Sequence, residues 1–261
     1  TGSMLLGHET TGTLNEAQNN TAVGLTALDA VTEGDDNTAV GFNALTGLTT
    51  GSKNVAVGKG AMTAAVTGEG NMAVGYNALN SVTSGGGNVA IGRQVLSKVE
   101  GGSKNVGIGR QAGIQIVGGA VGGTSLVSGS QNTYIGAETV PSAADANNET
   151  VIGQGATGGG NNTVVLGNGD VTAWLPSDNN EVDLGASAKQ LKDVYVDGVT
   201  YTDALGFGTT AMTLPTADGT NGQVLKTDGS GTLSWTANGS SGSGVSAIDD
   251  LTDGKSGGTG F

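Results

Sequence analysis

The sequence predicts an all-β protein, a parallel β-solenoid of 17-residue coils followed by small β modules. Three observations lead to this prediction. Glycine recurs every 17 residues, asparagine recurs in the same register, and a short alternating apolar segment precedes each of these glycines. Glycine supplies 50 of the 261 residues, and proline only three. An ordered glycine costs roughly 0.5–1 kcal/mol relative to alanine inside a regular element, so this abundance requires a geometric reason.

The glycine column defines the length of the coil. Each of its members follows a Leu, Val or Ile, which is typical of a short strand that ends in a turn. Seventeen residues are too few for a helical hairpin repeat and suit one coil of a β-solenoid. We therefore predict regular coils over residues 1–118. The column consists of Gly7, Gly24, Gly41, Gly58, Gly75, Gly92 and Gly109.

The asparagine column stands four residues before the glycines. Stacked coils place equivalent residues about 4.8 Å apart, so these side chains are expected to form an amide ladder like those of cross-β stacks. Asparagine and glycine both tolerate positive φ, and we expect the two columns to mark the corners of the coil. The members of this column are Asn20, Asn37, Asn54, Asn71, Asn88 and Asn105.

The predicted strand is apolar on both faces. In the third coil, Val55 and Val57 lie on one face and Ala56 on the other. A sheet with one wet face would alternate apolar and polar residues, so burial on both sides is expected. One side is the interior of the coil, and the other needs a partner. We predict a parallel homotrimer with Ala56 or Val57 near its axis, where the small alanine column would allow close backbone approach, and with Lys59 facing solvent.

The register loosens after Gly109. Residues 119–185 are predicted to be irregular coils with a ten-residue insertion within Gly118–Ser130. Residues 186–205 form a junction, with a helical turn at Ala186–Asp193 and a strand at Val194–Val196. Variable coil length is typical of loops that leave a solenoid on one face.

The C-terminal part has a different pattern. Residues 206–237 are predicted to be a small β module, with paired strands and turns at Asp218-Gly219 and Asp228-Gly229. Residues 238–261 are predicted to be a Gly/Ser linker and the start of a following segment.

Composition excludes several function classes. The formal net charge is −13, which opposes binding to nucleic acid or to anionic membranes. No apolar run is long enough to cross a membrane. Cysteine is absent, and His8 is the only histidine. Zinc sites and His-based triads are therefore not expected.

Several short motifs suggest chemistry that their context does not support. Gly153–Gly158 fits the dinucleotide fingerprint, but no helical pattern follows it. Asp35-Asp36, or Glu181 with Asp183, could supply a carboxylate pair for glycoside cleavage. Asp35-Asp36 and Asp249-Asp250 are weak calcium candidates, because neither fits a known calcium loop. We predict no catalytic residue, no cofactor and no metal.

An ice-binding solenoid is a further repeat-protein alternative. Such a surface needs a uniform threonine array, and the column that begins with Thr21 and Thr38 continues as Val55, Met72 and Val89. The array ends after two coils, and ice binding is not expected.

Two coil segments and two C-terminal motifs resemble known fibre proteins. N-T-A-V-G-F-N-A-L (Asn37–Leu45) and N-M-A-V-G-Y-N-A-L (Asn71–Leu79) resemble the head repeats of trimeric autotransporter adhesins and, more closely, repeats of phage tail fibres. L-G-A-S-A-K-Q-L-K-D-V-Y-V-D-G (Leu184–Gly198) and L-P-T-A-D-G-T-N-G-Q-V-L-K-T-D-G-S-G-T-L-S-W (Leu214–Trp235) are similar to modules of phage fibres, especially those of marine cyanophages.

The resemblance implies a parallel homotrimeric fibre of a phage virion that presents or supports host-receptor binding. Its expected partners are further copies of the chain, other tail or baseplate proteins, and a host cell-surface receptor. The alternatives are the head of a trimeric adhesin on a bacterial cell surface and, with less support, a fibre-borne glycan hydrolase. The coil length departs from the adhesin pattern, in which head repeats are commonly shorter than the 17 residues found here.

Overall fold

The computed structural model contains one long parallel sheet and three short hairpins. It describes residues 3–6, 17–117, 120–121, 123–175, 188–189, 191, 193–195, 204–207 and 210–238. The chain divides into two units, Thr1–Ser177 and Asp178–Phe261. The first holds the long sheet, and the described strands confirm an all-β architecture.

The long sheet contains ten strands in the order in which the chain reaches them, apart from the hairpin that interrupts the series. All of its pairs are parallel, and each strand contributes three residues per coil. Its strands are β1 (Met4–Leu6), β2 (Thr21–Val23), β3 (Thr38–Val40), β4 (Val55–Val57), β5 (Met72–Val74), β6 (Val89–Ile91), β7 (Val106–Ile108), β10 (Thr133–Ile135), β11 (Thr150–Ile152) and β12 (Val164–Leu166).

The predicted register is confirmed. Ala39 pairs with Ala56, and Ala56 with Ala73, so a shift of 17 residues superimposes neighbouring strands. Outside the strands, backbone groups bond to the next coil at each corner, as in Leu28 N–H to the Ala44 carbonyl at 3.0 Å. The sheet and the corners together form the parallel β-solenoid expected from the sequence.

The core is a thin column inside the coils. In β2 to β6 the middle residue points inward, and Ala22, Ala39, Ala56, Ala73 and Ala90 have no exposed surface. A second row from the far side of the coil meets them, made of Leu28, Leu45, Met62, Leu79 and Leu96, each preceded by an alanine except Leu96, which follows Val95. The alanine column therefore lies in the interior, and the expectation that it allows backbones to approach at a trimer axis is wrong. Small residues are needed here because one coil encloses little volume.

The ten extra residues leave the solenoid earlier than predicted. They form a hairpin between β8 (Ile116–Val117) and β9 (Ala120–Val121). Thr124 N–H donates to Gln115 Oε1 at 2.6 Å and closes the base of the hairpin. Leu126 is fully buried again. The insertion thus bulges from one corner and leaves the stacking of the coils intact.

The described part of the second unit contains two hairpins. β13 (Ala204–Phe207) pairs with β14 (Thr210–Thr213), and β15 (Gln223–Thr227) pairs with β16 (Leu233–Ala237). The turn predicted at Asp228-Gly229 joins β15 to β16 and is confirmed.

The other predicted turn and the predicted junction strand differ from the structure. Asp218-Gly219 joins no strand pair and belongs to a loop that covers Trp235, whose Nε1 donates to the Ala217 carbonyl at 2.9 Å. Val194 and Tyr195 lie outside any strand. Within the predicted helical turn at Ala186–Asp193, residues 188, 189, 191 and 193 are described and none is helical, and the other four lie outside the described residues.

Candidate functional site: the asparagine ladder and the aliphatic strip

The asparagine column lies inside the solenoid and connects every regular coil. Asn37, Asn54 and Asn88 have no exposed surface. Each Oδ1 accepts the backbone N–H of the equivalent residue one coil later, as in Asn71 N–H to Asn54 Oδ1 at 2.9 Å. Each Nδ2 donates to a corner carbonyl of its own coil, as Asn71 does to Gly85 at 2.9 Å. Every atom of the side-chain amide is thereby used.

The predicted amide ladder is confirmed over the middle of the solenoid. From Asn71 onward, each Nδ2 also donates to the Oδ1 of the preceding asparagine, at 3.0–3.1 Å. The ladder continues past the insertion to Asn132, which no column in the sequence analysis included. These asparagines do not adopt positive φ, contrary to expectation. The residue before each one does, as at Asp36 (φ 57°) and Lys53 (φ 60°).

Two requirements favour glycine in this column: the backbone of the next coil lies close to it, and its φ is positive. Gly24, Gly41, Gly58, Gly75, Gly92 and Gly109 all have φ between 123° and 136°. A Cβ at Gly58 would lie 2.6 Å from the carbonyl oxygen of Gly75. The column is therefore a contact between stacked backbones, as the sequence predicts. Gly7 lies outside the described residues.

The ladder ends on a buried carboxylate. Glu149 occupies the position of the asparagines, and its N–H donates to Asn132 Oδ1 at 2.9 Å. Its carboxylate accepts from the Tyr134 hydroxyl at 3.0 Å, from Ser142 N–H at 3.2 Å and from Gly160 N–H at 3.0 Å. Three donors compensate for the loss of water around a fully buried Glu149. The signal in the sequence was its place four residues before Gly153.

Tyr134 replaces the usual inward alanine and is fully buried. The preceding coil makes room for it, because Gly113 stands where the five earlier coils carry Leu or Met. Burial, and then the charge of Glu149, raise the pKa of the Tyr134 hydroxyl well above its usual range. This tyrosine therefore stays protonated in the folded protein at any pH near neutrality.

Stability is expected to fall in alkali because of Tyr134. The unfolded chain releases this proton near pH 10, while the folded chain keeps it to higher pH. The contribution is therefore fully present below pH 10 and is lost above it, at about 1.4 kcal/mol per pH unit. Denaturant midpoints of the wild type and Tyr134→Phe between pH 8 and 11.5 would measure it. Equal slopes for the two proteins above pH 10 would show that Tyr134 is not responsible.

The outer face of the sheet carries a continuous aliphatic strip. We define the strip by the two rows of outward residues, such as Val55 and Val57 in β4. The second row is aliphatic throughout, and the first row also contains Thr21, Thr38, Thr133 and Thr150. Its second row is exposed by more than a third at nearly every level, with Val57 at 36% and Ile91 at 40%. Ten strands at about 4.8 Å spacing make it roughly 43 Å long. This second row is Leu6, Val23, Val40, Val57, Val74, Ile91, Ile108, Ile135, Ile152 and Leu166.

The candidate acids and motifs fall in structural roles or outside the described residues. Asp35 Oδ1 accepts from Gln18 N–H at 2.7 Å and Asp36 Oδ1 accepts from Asn19 Nδ2 at 3.2 Å, so both connect coils at a corner. Gly153–Gly158 is a coil corner, as expected. His8, Glu181, Asp183 and the Asp249-Asp250 pair lie outside the described residues.

The described ranges lack two further kinds of functional feature. They contain no group of three His, Cys, Asp or Glu side chains placed to hold a metal ion. They also contain no helix with the length and apolar character needed to span a bilayer.

Comparison with protein-family models, curated proteins and solved structures gives no match to this chain.

Proposed function

We propose that this chain is a structural, non-enzymatic segment of a homotrimeric phage fibre, which presents or supports host-receptor binding on the virion. The aliphatic strip is the observation that carries the proposal. A parallel sheet is normally covered on both faces, and a contiguous apolar surface of this length is typical of a protein–protein interface. The interior alanines cover the inner face, and the strip remains for other copies of the chain.

Cyclic symmetry suits this surface. Parallel copies around a three-fold axis place equivalent coils at equal height, so Val57 of each copy faces Val57 of the other two. The axial stack of short coils, joined by the asparagine ladder, makes a stiff segment without disulfides. The segments that resemble phage fibres, Leu184–Gly198 and Leu214–Trp235, favour a virion over a bacterial cell surface.

The assembly is tested by a charge on the strip. Val57→Asp would place three carboxylates together at the axis, where each buried charge costs several kcal/mol. We expect the wild type to sediment as a trimer at micromolar concentration. Val57→Asp should sediment as a monomer, or its association constant should fall at least 100-fold.

The matched control is Ala65→Asp, which adds one carboxylate to the same coil at an exposed position outside the strip. It should remain trimeric. A wild-type chain that is folded and monomeric at micromolar concentration would refute the trimer, and equal association of the two variants would refute the use of the strip.

The adhesin alternative shares the same coils and the same strip. It differs in what flanks the segment, because an adhesin head is joined to a coiled-coil stalk and a membrane anchor. The sequence that flanks this segment in its reading frame would distinguish the two alternatives.

A further inference from the structure

A second exposed column runs beside the aliphatic strip and has a different chemistry. It stands two residues after the second row of the strip, immediately past the corner glycine. The first four of its five central members alternate between aromatic and cationic side chains, the fifth is a second arginine, and all five are exposed. We call them the aromatic–cation column: Phe42, Lys59, Tyr76, Arg93 and Arg110.

The side chains of this column contact each other along the solenoid axis. Lys59 Nζ lies 5.6 Å from the centre of the Phe42 ring, and the Arg93 guanidinium lies 5.9 Å from the centre of the Tyr76 ring. Arg110 pairs with Glu138 one coil further on. Phe42 and Tyr76 still expose 44% and 43% of their surface. The rings are thus oriented by their cation neighbours and remain open to a ligand.

The charge of this column opposes the charge of the chain. The protein carries 23 acidic and 10 basic residues. No acidic residue occupies this position in the eight successive coils, which carry Leu25, Phe42, Lys59, Tyr76, Arg93, Arg110, Ala137 and Gln154. Arg110 is paired with Glu138, so Lys59 and Arg93 supply the local attraction for anions on an otherwise acidic molecule.

From this arrangement we infer that the column binds an acidic polysaccharide laid along the solenoid axis, with an acidic sugar at every second position. Apolar faces of pyranose rings pack on exposed aromatic rings, and guanidinium or ammonium groups pair with carboxylates. Lys59 and Arg93 are two coils apart, roughly 10 Å, and so are Phe42 and Tyr76. That spacing is close to the length of one extended disaccharide.

A second copy of the chain fits this column less well. Equal coils meet at equal height in a parallel cyclic assembly. On the other flank of the strip, the coil of Lys59 carries Lys53 and the coil of Arg110 carries Lys104. Like charges at the same height repel each other, so the column is left for a ligand from outside.

The inference deepens the proposed function, because it gives the fibre a ligand of its own, and it is tested separately from assembly. The probes are hyaluronan and unsulfated chondroitin, which carry one carboxylate per disaccharide. The comparison ligands are chitohexaose, which is neutral, and single-stranded oligothymidylate, which carries a phosphate on every residue. Calorimetry with the full chain at low salt should show binding to at least one of the two acidic glycans, weakening as salt is added.

Two pairs of substitutions locate the site. Lys59→Gln with Arg93→Gln should weaken glycan binding at least about fivefold, and Phe42→Ala with Tyr76→Ala should do the same. The matched control, Lys98→Gln with Lys226→Gln, removes two exposed cations that lie neither in the column nor on the flank that carries Lys53 and Lys104, and should leave binding unchanged. No binding to either acidic glycan, equal loss in the control, or equal or tighter binding of chitohexaose or oligothymidylate would overturn the inference.

Sedimentation of the same samples keeps the two proposals distinct. A trimer that binds neither acidic glycan refutes the ligand and leaves the fibre proposal standing. A monomer that binds hyaluronan through the column refutes the trimer and leaves the ligand standing.

Discussion

Alanine at Gly58 is expected to lower the free energy of unfolding of the solenoid by about 2–5 kcal/mol. The new Cβ would lie 2.6 Å from the carbonyl oxygen of Gly75, and the residue has a φ of 129°. Forcing atoms into a packed stack costs about 1–3 kcal/mol, and a left-handed conformation about 1–2 kcal/mol more for a residue with a side chain. Both penalties apply here because the backbones of neighbouring coils touch.

Three other glycines separate these two causes. Gly51→Ala meets the Gly68 carbonyl oxygen at 2.7 Å without a positive φ, and should cost about 2 kcal/mol. Gly70→Ala has a φ of 68° and open space, and should cost about 1 kcal/mol. Gly101→Ala has neither problem and should be neutral within about 0.5 kcal/mol. Urea denaturation followed by circular dichroism measures all four, and a loss at Gly101 equal to that at Gly58 would refute the stacking argument.

Alanine at Asn71 is expected to cost about 3 kcal/mol. The substitution leaves the buried N–H of Asn88 and the Gly85 carbonyl without their partner. An unsatisfied buried group costs about 1–3 kcal/mol, and two groups are affected. The loss should appear in the denaturation midpoint and as faster hydrogen exchange at Asn88.

Asn80→Ala is the matched control for this variant. Asn80 belongs to the same coil, and its Oδ1 is buried with no hydrogen-bond partner. Its replacement should change stability by less than about 0.5 kcal/mol, because no hydrogen bond of that oxygen is lost. Equal destabilisation by the two variants would show that the ladder does not hold the coils together.

The repeat was predictable because each column has one strict physical requirement. A glycine at Gly58 is required by the backbone of the next coil, and an asparagine at Asn54 by a buried N–H and a buried carbonyl. These requirements recur at every coil, so the coil length and the register could be derived from spacing alone. Lys59 is exposed, as the sequence predicts.

The face of the alanine column could not be derived in the same way. Both sides of the strand are apolar, and the sequence does not record how much volume a coil encloses. The second row of the core, with Leu28 and Leu45 opposite the alanines, occupies that volume and leaves space only for small residues from the strand. The valines must then face outward.

Backbone conformation inside the core was also beyond the sequence. Leu28, Leu45, Met62, Leu79 and Leu96 are buried with φ between 47° and 55°, a region that bulky residues rarely adopt. Local preference would place such angles at Asn or Gly. The coil imposes them because a 17-residue closure needs a corner where the leucine side chain must also point inward.

Position 149 carries a glutamate where the regular coils carry an asparagine. The 17-residue count is broken by the ten-residue hairpin, and Asn132 and Glu149 are marked only by their place four residues before Gly136 and Gly153. The donors that make a carboxylate acceptable there come from Tyr134, Ser142 and Gly160. The fold of the coil brings these donors together, and no sequence motif marks them.

The coil-by-coil pattern of hydrogen bonds has a mechanical consequence. Each coil bonds mainly to its two neighbours, and the two ends of the stack are its first and last coils. A pulling force along the axis would therefore load one layer of bonds at a time, and coils would peel from an end in sequence. Each released coil of 17 residues would add roughly 55 Å of chain. A fibre segment built in this way would lengthen stepwise under drag and absorb work without breaking a covalent bond.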